Sequence, residues 1–119
     1  MKMSKIRLKA AICLFLFALV AIGVAALIQF GANEYPDTVD AAAEMLIDRL
    51  SEEDKLRVKN TKKEDLIGFH HGWGTSIRND FGLWSGNEKL LRAACHGEIC
   101  HPDEASMVII EAVWTRLQK

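Results

Sequence analysis

Apolar and polar positions divide the chain into two stretches of different character. From Ala10 to Ile28 nineteen consecutive residues, AAICLFLFALVAIGVAALI, carry no charge. At about 1.5 Å per residue, a helix of that length reaches roughly 28 Å, the thickness of a bilayer's hydrocarbon core. Such a helix also satisfies its own backbone amides, as lipid requires. The pattern predicts a transmembrane helix over residues 10–30, a short linker over 31–36 and a helical domain over 37–119. In that domain apolar residues recur at the three- and four-residue intervals of amphipathic helices.

The elements follow from that period and from its punctuation. Asp37 or Thr38 can cap a first helix, whose stripe is Val39, Ala42, Ala43, Leu46, Ile47 and Leu50. Ser51 can cap a short second helix, with Glu52, Glu53 and Asp54 in its first turn. Thr61-Lys62-Lys63-Glu64 reads as a capping box opening a third helix, with Ile67, Phe69, Trp73 and Ile77 on its apolar face. Gly68, Gly72 and Gly74 interrupt it at about 0.5–1 kcal/mol each relative to alanine. Close approach of a neighbouring helix or a shallow ligand groove would account for them. Asn79, Asp80 and Gly82 end that helix, and Ser85-Gly86-Asn87-Glu88 reads as a second capping box. Pro102 suits the first turn of a last helix, whose apolar residues Ala105, Val108, Ile109, Ala112, Val113 and Leu117 are widened by Met107, Ile110 and Trp114. No segment alternates as a strand would. The expected fold is all-α: one N-terminal transmembrane helix followed by a compact bundle of about five helices.

Charge orients this arrangement. Lys2, Lys5, Arg7 and Lys9 precede the apolar run, while Glu34, Asp37, Asp40, Glu44 and Asp48 follow it. Basic flanks stay inside, so residues 1–9 form a cytoplasmic tail and the domain lies outside, in the periplasm or beyond, anchored to a bacterial inner membrane. A cleaved signal peptide is the alternative, with Val24-Ala25-Ala26 as its cleavage site. The apolar run exceeds the usual signal-peptide core, which favours the uncleaved anchor. Setting aside the four tail residues leaves 11 basic against 16 acidic side chains, a net charge of −5. That balance argues against nucleic acid as a partner. The membrane, through residues 10–30, and an unidentified protein are the partners this composition suits.

Candidate chemistry concentrates in Phe69 to Trp84, FHHGWGTSIRNDFGLW. His70 is either a core histidine bonded to a backbone carbonyl or a polar group on a pocket floor. Arg78, in the last turn of its helix, can complement the dipole and pair with Asp103 or Glu104, or its planar fork can clamp an anion. Asn79 and Asp80 complete the polar set. Trp73 and Trp84 read as core payload, with Trp84 also a candidate binding residue. Cys95 and Cys100, in CHGEICHP, suit a disulfide outside the cytoplasm; free thiols or a metal held with His96 and His101 are the alternatives. No phosphate loop, dinucleotide fingerprint, nucleophile elbow or metalloprotease motif is present, and no cofactor is implied.

Phe69, His70, Gly74, Ile77-Arg78-Asn79 and Gly82-Leu83-Trp84, followed by Pro102-Asp103 and Ser106, resemble the pattern of a bacterial family catalogued only as a domain of unknown function. The resemblance covers roughly Tyr35 to Leu117. It implies a small helical domain and no activity, and it does not extend to His71 or the two cysteines. Three functions are compatible with these residues. The first is a non-catalytic interaction or ligand-binding module with His70, Arg78, Asn79 and Asp80 near its surface. The second is a small hydrolase or ligand-binding enzyme using His70, Arg78 and Asp80, and the third an immunity-type inhibitor of an exported toxin.

Overall fold

The first helix starts where the sequence places a cap. Thr38 has extended backbone, and its Oγ1 accepts the Ala41 amide at 3.1 Å, opening α1 (Val39–Arg49). Ser51 does the same for α2 (Glu52–Asn60), accepting the Asp54 amide at 3.1 Å. These belong to a computed structural model that describes residues 34–119. The expected transmembrane helix over residues 10–30, the tail before it and linker residues 31–33 lie outside the described residues. Among the described residues no helix is long and apolar enough to cross a membrane.

The expected third helix is two elements. Lys63–Phe69 winds as a 3₁₀ segment, a turn follows, and α3 (Trp73–Asp80) is a separate α-helix. The Thr61 capping box does not form: the 3₁₀ segment starts from Lys62 with no side-chain cap, and the Thr61 hydroxyl donates back to the Arg57 carbonyl at 2.8 Å, at the end of α2. Tighter winding also changes the buried face. A 3₁₀ turn stacks residues three apart, so Leu66 lies beneath Phe69. Leu66 is accordingly buried, while Ile67, expected on the apolar face, is 64% exposed.

A Schellman motif ends α3. The Leu83 amide reaches the Arg78 carbonyl at 3.0 Å and the Gly82 amide reaches Asn79 at 3.3 Å. Gly82 takes φ +65°, and a Cβ there would lie 2.7 Å from the Tyr35 ring. The next helix, α4 (Glu88–Ala94), is capped by Asn87 rather than Ser85: Asn87 Oδ1 accepts the Leu90 amide at 3.3 Å. The Nδ2 of this buried residue donates to the carbonyls of Phe81 and Pro36, at 2.9 and 3.1 Å. Asn87 thereby ties the start of the folded unit, Tyr35–Lys119, to the end of α3.

The last helix, α5 (Pro102–Leu117), is the axis of the bundle; α1, α2, the 3₁₀ segment, α3 and α4 all pack on it. Its apolar residues spread around more than one face, and Ala105, Ile109, Ile110 and Val113 are fully buried. Trp114 fastens its far end by donating to the Thr61 carbonyl at 2.8 Å. Among the described residues there are five α-helices, one 3₁₀ segment and no strand.

Candidate functional site

Arg78 points inward from α3, and its side chain is only 7% exposed. A buried guanidinium is costly unless its donors are satisfied. Here Nη1 donates to Ser106 Oγ at 2.9 Å, and Nη2 donates to Thr75 Oγ1 at 3.0 Å and to the His70 carbonyl at 3.3 Å. Nε lies 3.2 Å from Asp103 Oδ1, close enough for an ion pair but not aligned as a hydrogen bond. The expected pairing of Arg78 with the start of the last helix is therefore made through Asp103.

The two hydroxyls are oriented by their own donations. Ser106 Oγ gives its proton to the Asp103 carbonyl at 2.9 Å, and Thr75 Oγ1 gives its own to the His71 carbonyl at 2.6 Å. Each therefore presents a lone pair to the guanidinium. Gly74 makes the space: a Cβ there would lie 3.0 Å from Arg78 Nη1 and 3.3 Å from the Phe69 carbonyl. Close approach does explain this glycine, but the neighbours are a side chain of the same helix and a backbone carbonyl of the 3₁₀ segment before it. At Gly68 and Gly72 a Cβ would meet open space, so packing does not require glycine at either.

His70 edges the same cluster. Its Nε2 is 3.9 Å from Asp103 Oδ2, and its buried Nδ1 has no hydrogen-bond partner among the described residues. The carbonyl bond expected of its ring is not made; its own main-chain carbonyl is what the cluster uses. His101 approaches from α5, where Nδ1 caps the helix by accepting the Asp103 amide at 3.2 Å. A nitrogen that accepts carries no proton, so its 3.5 Å approach to Asp103 Oδ2 is not a hydrogen bond. The cluster offers little for catalysis. Arg78 has no free face for an anion, and Ser106 is flanked by a guanidinium rather than a base.

The polar candidates thus separate. His70 and Arg78 turn inward, while Asn79 and Asp80 are exposed on the last turn of α3. The span of the fold and of this cluster coincides with a known sequence family. A family model described as "Domain of unknown function (DUF6794)" matches residues 35–117. The chain belongs to this family. No curated protein and no solved structure matches it.

Within the DUF6794 domain, Trp84 stands at the surface rather than in the core. It is 56% exposed, and its ring stands nearly perpendicular to that of His101, with centroids 5.3 Å apart. Directly before α5, the sulfurs of Cys95 and Cys100 are joined, with Cα atoms 6.0 Å apart. His96 and Gly97, at φ 56° and 96°, turn the chain between them. Glu104 also comes near these sulfurs, but a joined pair has no thiolate to give a metal. Ser106 and Thr75 were not legible as partners of Arg78. The available signal was a serine amid the buried residues Ala105, Ile109 and Ile110, where a hydroxyl needs a polar neighbour.

Proposed function

We propose that the chain is a membrane-anchored, extracytoplasmic interaction module without catalysis, held by residues 10–30 and meeting a protein partner through the exposed end of α3. The observation that carries this reading is the enclosure of Arg78, which donates to Ser106, Thr75 and the His70 carbonyl and sets its Nε against Asp103. The Arg78 side chain, the one best suited to clamping an anion, is employed in holding the fold. Asn79, Asp80 and Trp84 face outward close by, and a half-exposed tryptophan is the kind of residue that dominates binding energy when a partner buries it. The hydrolase reading has no comparable support.

Photo-crosslinking in intact cells tests both halves of the proposal. A photoreactive residue at Asn79, Asp80 or Trp84 is expected to give a discrete protein adduct in the membrane fraction, and one at Glu53 of α2 is not. External protease is expected to remove a tag placed after Lys119 in spheroplasts. A protected tag refutes the topology, and adducts indifferent to position refute the surface.

A further inference from the structure

Away from the Arg78 cluster, α1 and α5 enclose an open groove of about 970 Å³. Its floor is apolar, built from half-buried Val39 and Ile47 on α1 and Val108 and Ala112 on α5. Its α1 wall is acidic: Asp40, Glu44 and Asp48 stand one turn apart on one ridge. Asp40 is engaged by Arg116 at 3.0 Å, and across the groove Glu111 is engaged by Lys63 at 2.7 Å. Among the described residues Glu44 and Asp48 enter no ion pair.

The groove continues past Val108 and Glu111 into a second hollow of about 430 Å³, where Ile67 and Met107 are flanked by Glu64 and Glu104. Over both hollows six carboxylates face three basic side chains, Lys63, Arg116 and Lys119, leaving a net charge of −3. Exposed Ile67, unexplained by the core, lies on this surface.

We propose that this groove docks a basic amphipathic helix of a partner protein. Charge complementarity selects the sign: cations at one-turn spacing would meet Glu44 and Asp48 while an apolar stripe settles on Val39, Ile47, Val108 and Ala112. The walls select the conformation. Both are helices, whose amides and carbonyls are spent internally, so neither offers a backbone edge to an extended peptide. An occupant that buries its backbone here must satisfy its own amides, as a helix does. A second copy related by a two-fold axis would set the carboxylate ridge against itself, and like charges disfavour that pairing. Anionic lipid is disfavoured for the same reason.

The test uses the full chain in phosphatidylcholine nanodiscs and a fluorescein-labelled designed helical peptide, with lysines at one-turn spacing beside a leucine stripe. A version with glutamate for each lysine is the control. Fluorescence anisotropy is expected to show binding of the lysine peptide and at least about tenfold weaker binding of the glutamate peptide. The near-isosteric double variant Glu44→Gln/Asp48→Asn is expected to weaken lysine-peptide binding about five- to tenfold. Glu53→Gln/Asp65→Asn, outside both hollows, is expected to leave it unchanged. No binding of the lysine peptide, equal binding of both peptides, or equal losses in both double variants would overturn the proposal. So would a self-association in sedimentation that Glu44→Gln/Asp48→Asn strengthens. None of these readouts depends on which side of a membrane the domain faces or on Trp84, so failure here leaves the preceding proposal standing.

Discussion

Replacing Arg78 by alanine separates a structural cross-link from a recognition group. The guanidinium donates to three acceptors, on α3 itself, the turn before it and α5, and lies beside Asp103 on α5, so its removal disconnects α3, the turn before it and the start of α5. Hydrogen bonds from a charged donor are worth about 1.5–3 kcal/mol each, but much of that is offset by the cost of burying the charge. Deleting one partner of a buried pair costs about 3–5 kcal/mol. Asp103 is 44% exposed and can recover water, which places the loss near the lower end, about 3 kcal/mol. For a domain of this size each kcal/mol moves the melting temperature by about 4–8 °C, so Arg78→Ala should lower it by about 12–24 °C. Circular dichroism at 222 nm on the detergent-solubilised chain reads this directly. Arg78→Lys should lose more than half as much, because one ammonium cannot reproduce the fork. Ser106→Ala should cost less than Arg78→Ala, and the double variant should fall short of the sum of the two. A melt of Arg78→Ala within about 4 °C of the parent, less than 1 kcal/mol, would show that the guanidinium is buried for another purpose.

Other substitutions probe single features in the same assay. Gly74→Ala should destabilise by about 1–2 kcal/mol, since the new methyl meets a guanidinium that cannot move aside, whereas Gly68→Ala, facing open space, should be neutral or stabilise by up to about 1 kcal/mol. Equal effects at the two sites would contradict the packing argument. Asn87→Asp keeps the cap on α4 but turns two donors into acceptors facing the carbonyls of Pro36 and Phe81, so a loss of about 2–3 kcal/mol is expected, larger than for the same change at exposed Asn79. Reducing Cys95–Cys100, or replacing both by serine, opens a six-residue loop and should cost about 2 kcal/mol, seen as a melting shift on adding dithiothreitol; no shift would mean that the bond does not constrain the unfolded chain.

Helix starts were largely legible because capping is local. Thr38, Ser51 and Pro102 act within a few residues of themselves, and each opens the helix its position suggests. The Arg78–Asp103 pairing was legible for a related reason: a cation ending one helix and a carboxylate starting another complement two dipoles. Thr61 shows the limit of local reasoning, since its hydroxyl satisfies an α-helix end or start equally well and only the packing of α2 against α5 decides between them. Once that junction tightened into a 3₁₀ turn, the phase of the apolar pattern slipped by one position, exposing Ile67 and burying Leu66.

The amino-acid sequence by itself determined the helical class of the folded domain, most of its helix boundaries and its family. The first two rest on periodicity and capping, which act over one or two turns, and the family on the particular residues matched over 35–117. Beyond the Arg78–Asp103 pair, tertiary structure decided which side chains face which. It turned Arg78 onto Ser106, 28 positions away in the chain, made Asn87 rather than Ser85 the cap that holds Pro36, and left Trp84 at the surface beside His101. A side chain's worth to the fold depends on partners that the chain brings close only when it closes on α5, and no local pattern encodes that distance.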